Sequence, residues 1–76
     1  LGELREFITE EDHLYQIDPD NPSSITHYAR GRGPEVEFVD VTLGRQTPTR
    51  HAPLALIGRD GGLVEITRPI TRLRRR

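Results

Sequence analysis

Apolar positions recur at two spacings along this chain. Leu1, Leu4 and Ile8, with Phe7 beside them, fall three or four residues apart, the period of a helix face. Eight residues make a helix too short to stand alone in water, so the spacing predicts one or two turns packed down on a larger body. Thr9-Glu10-Glu11-Asp12 has the form of a helix start, a capping threonine followed by acids. From His13 the pattern changes: His13-Leu14-Tyr15-Gln16-Ile17 suits a short strand, stopped by Asp18-Pro19.

Beyond it the strand period dominates. Asp18 to Ser24 is rich in Asp, Asn, Pro and Ser and reads as a turn. Residues 25–30 alternate as a half-buried strand, with either Ile25, His27 and Ala29 or Thr26 and Tyr28 turned inward. Gly31 to Pro34 breaks it. Residues 35–43 form the clearest strand, and its apolar phase switches: Val36 and Phe38 share one face, Val39, Val41 and Leu43 the other. Such a switch marks a bulge, a strand buried on both faces, or a bend between two sheets. Gly44 to Pro53 is a long polar connection of the kind that often carries function. Leu54–Ile57 and Leu63–Thr67 flank Gly58-Arg59-Asp60-Gly61-Gly62, a strong hairpin signal. Pro69 demotes the last stretch to an edge strand or tail.

Five or six short strands predict an all-β fold, a small five- to six-stranded barrel of SH3-like or OB-like type or a compact sandwich, with a short N-terminal helical turn. The organisation expected is an acidic segment over 1–12, a small β domain over 13–71 and a basic tail over 72–76. The core is assigned to Leu14, Ile17, Val36, Phe38, Val41, Leu54, Leu56, Leu63, Val64 and Ile66.

Composition narrows the functional classes. The chain has 76 residues and no cysteine, so it has no disulfide framework and no thiolate metal site. A chain this small without staples is an economical single core, or one piece of an oligomer, a complex or a longer polypeptide. No apolar run reaches the roughly 20 residues that span a bilayer, so no membrane partner is expected, and the absence of cysteine fits the cytoplasm. No Gly-x-Ser-x-Gly elbow, His-x-x-x-His pair or P-loop is present. Asp18-x-Asp20 fails as a calcium loop because Pro22 and Ser23 stand at its fifth and sixth positions. An enzyme, a cofactor and a metal are therefore not expected.

The net charge of −1 hides an asymmetry: residues 1–20 carry seven acids against one arginine, and residues 57–76 six arginines against two acids. All eleven basic residues are arginine, which pairs bidentately with carboxylate or phosphate. The acidic start and basic end complement each other, either within one chain or between copies. The leading reading is a non-catalytic protein-interaction module or small accessory subunit whose partner is another protein or a second copy of itself. The alternative is a nucleic-acid-binding barrel. Either would work through Arg30 and Arg32, through the 44–53 loop with Arg45, Arg50 and His51, and through Arg68, Arg72, Arg74, Arg75 and Arg76.

Overall fold

Strand-forming alternation, cut by turns that each residue type dictates, builds the molecule. The computed structural model describes residues 3–29, 31, 33–44 and 48–75. Among these, the strands are β1 (Leu4–Thr9), β2 (Leu14–Asp18), β3 (Asn21–Tyr28), β4 (Pro34–Phe38), β5 (Thr42–Leu43), β6 (Ala55–Ile57), β7 (Leu63–Ile66) and β8 (Ile70–Arg75), with one 3-10 turn at Glu10–Asp12. They form a five-stranded antiparallel sheet ordered β4-β3-β2-β1-β8 and a three-stranded antiparallel sheet ordered β5-β6-β7.

The register of the larger sheet sorts its side chains into rows. Val36, His27, Tyr15, Phe7 and Leu73 lie opposite one another from β4 through to β8, and Phe38, Ile25 and Ile17 form a second row on the same face. Directly opposed residues share a face, so this face turns to the smaller sheet. The other face carries Glu37, Thr26, Gln16, Glu6 and Arg74 in one row and Tyr28, Leu14, Ile8 and Arg72 in the next. The core is Phe7, Tyr15, Ile25, Val41, Leu54, Leu56 and Ile70, with Leu4, Ile17, Phe38, Leu43 and Leu73 packed against it. Thr9 and Thr67 are also buried, and both hydroxyls are satisfied, as burial requires. Thr9 donates to Glu10 O, and Thr67 accepts from Leu54 N–H while donating to Arg68 O.

Two corners join the sheets. The phase switch after Phe38 is the bend between them: β4 ends, Asp40 takes a left-handed φ of 53°, and β5 begins in the other sheet. Val41 N–H then donates to Ser23 O at the start of β3. At the opposite corner His51 N–H donates to Ile70 O and Ile70 N–H to Ala52 O, so the end of the long connection lies along β8. The sheets do not close into the expected barrel, since β4 and β7 end their respective ladders.

Two expectations change. The helical spacing of Leu1, Leu4 and Ile8 yields to β pairing: residues 4–9 are a strand held by β2 on one side and β8 on the other, and Phe7 and Thr9 alternate inward. Residues 70–75 are an edge strand, one of the two readings that Pro69 allowed, and the acidic start and the arginine-rich end meet within one chain, with Glu6 opposite Arg74. In the core list, Val36, Leu63, Val64 and Ile66 are exposed, because β4 and β7 are edge strands. Their places are taken by Phe7, Tyr15, Ile25 and Ile70. Leu14, on the outer face, is only half-buried.

Candidate interaction surface

Of the residues predicted to work, Arg30, Arg32, Arg45 and Arg76 lie outside the described residues. Arg50 and His51 are exposed beside β8, and the Arg75 guanidinium reaches Pro48 O at 3.4 Å. The described end of the 44–53 loop therefore pairs with the β8 edge at Ile70, hiding backbone there. Arg72 and Arg74 are exposed on one face of β8, opposite Ile8 and Glu6. Arg68 stands apart, just past β7. The structure thus sets His51 beside Ile70 at the start of β8, brings the Arg75 side chain to Pro48, sets Arg72 and Arg74 on a face shared with acids, and leaves Arg68 elsewhere.

A different feature emerges at the sheet edges. Residues 51–52 bond β8 at Ile70 alone and Val41 N–H bonds Ser23 O in β3, while β4 and β7 have no backbone partner on their outer sides among the described residues. The exposed large apolar side chains sit there: Val36 on β4, Val39 just after it, and Leu63, Val64 and Ile66 on β7, at 58%, 47% and 59% exposure. The two edges are not equivalent. β4 begins with a proline and carries Glu35 and Glu37, both exposed, the residues that discourage pairing at an edge. In β7 the one charge, Glu65, turns inward, where its Oε2 accepts a 3.0 Å hydrogen bond from the Tyr15 hydroxyl.

Pairing fixes which way the rest of β7 points. Leu63 lies opposite Ile57 and Ile66 opposite Ala55, while Glu65 lies opposite the buried Leu56, with a bulge that leaves Val64 as the extra residue. Leu63 and Ile66 therefore stand on the outer face with Ala55 and Ile57, and that face is apolar across β6 and β7. The hairpin feeding it is built by its own turn. Asp60 Oδ1 accepts Gly62 N–H at 2.9 Å, Gly58 N–H donates to Gly62 O at 2.8 Å, and Gly61 takes φ +85°. At the far end Thr67 N–H donates to Leu54 O, extending the ladder past Ile66.

Under β7 lies an aromatic stack. Phe7 and Tyr15 stack with centroids 4.9 Å apart, Tyr15 and His27 at 4.4 Å, and His13 Nδ1 meets His27 Nε2 at 2.8 Å. One ring donates and the other accepts, so the two imidazoles satisfy each other. Burial, first, and then the hydrogen bond and charge of Glu65 push the Tyr15 hydroxyl well above its ordinary range, with a smaller push from Glu35, so it stays protonated as a donor. No group of three or more metal-ligating side chains occurs among the described residues. A cleft of about 360 Å³ opens where β5 meets β3, lined by Leu4, Ile17, Pro22, Val41 and Leu43, with Ser23, Arg5 and Asp18 beside them. None of His13, His27 or Tyr15 lines it; the carboxylates in its lining are Glu3 and Asp18.

Compared with protein-family models, with curated proteins and with solved structures, the chain matches none.

The sequence assigned Leu63, Val64 and Ile66 to the core, and nothing local separates a core strand from an apolar edge strand. The usable signal was indirect: Pro69 stands three residues beyond Ile66, and proline gathers near sheet edges.

Proposed function

We propose that this chain is a non-catalytic protein-interaction domain that docks an extended strand of its partner along β7. The observation that carries the reading is the edge itself: backbone on the outer side of Leu63–Ile66 with no partner among the described residues, three exposed large apolar side chains, and the strand's one charge drawn inward by Tyr15. Native proteins blunt such edges unless they are used, and an added strand gains main-chain hydrogen bonds for affinity and alternate side chains for specificity. The small size of the core adds a thermodynamic reason for a partner.

The nucleic-acid reading draws on Arg72 and Arg74, which are exposed on one face of β8. That face also carries Glu6 opposite Arg74 and Glu37 in the same row, and acids beside the arginines weaken phosphate binding. Its aromatic content is Tyr28, short of the stacking platform that single strands use.

A photo-crosslinking amino acid placed at position 64, and separately at position 72, tests the choice in cells. Capture of a protein at 64, whether foreign or a second copy, supports the docking edge. Capture of nucleic acid at 72 with nothing at 64 replaces it with the alternative. No adduct at either position overturns both.

A further inference from the structure

We infer that the cleft where β5 meets β3 takes a small organic cation, an ammonium group carried on a compact apolar body. The cleft lies at the β5 side of the smaller sheet and the docking edge at its β7 side, so neither depends on the other.

The chain builds the cleft where it passes from one sheet to the next. Leu4, Ile17 and Pro22 come from β1, β2 and β3, and Val41 and Leu43 from the segment that has just left the larger sheet. The volume of about 360 Å³ falls at the lower end of the roughly 300–1,000 Å³ of small-molecule sites. Val41 is buried, but Leu4, Ile17 and Leu43 are half-buried where they pack on the core. They keep apolar surface that a ligand can take from water. Pro19 also stands in the lining. With Pro22 it fixes the backbone at the lip, which lowers the entropy cost of binding there.

Charge selects the head of the ligand. The ionisable groups in the lining are Glu3, Asp18 and Arg5, all exposed. A second hollow shares Arg5 and Asp18 and adds Glu6 and Glu37, so the one guanidinium sits among four carboxylates. Glu6 is engaged, accepting from Gln16 and lying opposite Arg74. Glu3 is not: among the described residues no side chain pairs with it. Asp18 spends Oδ1 on the Asp20 amide at 2.9 Å and keeps Oδ2 to accept. Two carboxylates with acceptors to spare outweigh Arg5, and the field over the apolar floor is negative. An ammonium head gains from it, a hydroxyl gains little, and a carboxylate head is repelled.

Three probes with one phenethyl body test this: phenethylammonium, phenethyl alcohol and hydrocinnamate, each titrated into the full chain near neutral pH and followed by amide NMR shifts. The ammonium should shift the amides of Leu4, Ile17 and Leu43 and bind about tenfold more tightly than hydrocinnamate, with the alcohol between them. Glu3→Gln combined with Asp18→Asn, which keeps Oδ1 for the Asp20 amide, erases that preference. Arg5→Gln enlarges it. Thr42→Trp, at an exposed strand position in the lining, fills the cleft and abolishes binding of all three. Circular dichroism melts of each variant confirm that it is folded. Tightest binding of hydrocinnamate, equal binding of the three probes, or a preference for ammonium that survives loss of both carboxylates would each overturn the inference. So would shifts that cluster away from the cleft, or none with any probe.

Discussion

The Tyr15 hydroxyl donates to Glu65 across fifty residues of sequence, at 3.0 Å. This one bond links the centre of the larger sheet to the open edge of the smaller one. It also shapes what that edge shows, because it draws the only charge of β7 inward. Tyr15 itself is 4% exposed and stacked between Phe7 and His27.

Tyr15→Phe should keep the stack and lose the bond. The cost is about 1–2 kcal/mol, because Glu65 is left half-buried without its donor. The pH dependence follows from the direction of the Tyr15 shift. Its pKa is raised in the folded state above the ordinary value of 10.0. The folded protein therefore holds the proton more tightly than the unfolded chain, so this contribution is complete below pH 10 and is lost as the pH rises above it. Urea midpoints measured from about pH 8 to 11 should fall for the wild type above pH 10, and Tyr15→Phe should flatten that fall.

Leu56 and Ile66 lie one residue apart in the β6–β7 pairing scheme yet should respond oppositely. Leu56 is fully buried and Ile66 is 59% exposed. Leu56→Ala should cost 2–5 kcal/mol, about the whole stability of a domain this small. Ile66→Thr should change the monomer by less than about 0.5 kcal/mol and act on association alone. Thermal melts at low concentration separate the two.

Gly61 offers a clean measure of the hairpin. It holds φ +85°, and a Cβ there would meet nothing within 4 Å. Gly61→Ala should therefore cost only the left-handed backbone penalty, about 1–2 kcal/mol, visible as a lowered denaturation midpoint with an unchanged slope.

The all-β class and the Asp-Gly hairpin were readable along the chain, and a bend was one of three readings of the phase switch after Phe38, because turn chemistry and side-chain alternation act over a few residues. Strand order was not. Leu1, Leu4 and Ile8 match a helix as well as a strand until β2 and β8 supply partners from positions 14–18 and 70–75. The same blindness hid the candidate site. Leu63, Val64 and Ile66 look like core, and only the order β5-β6-β7 shows that nothing covers them among the described residues. Arg72, Arg74 and Arg75 lie on β8, with Glu6 opposite Arg74.

Amide hydrogen exchange on the chain alone at low concentration, and then in whatever complex position 64 captures, tests the docking edge most directly. The account predicts fast exchange along the outer side of Leu63–Ile66 in the free chain and slow exchange there in the complex, with Arg72–Arg75 unchanged. Protection that appears along β8 while β7 stays as it was would contradict it.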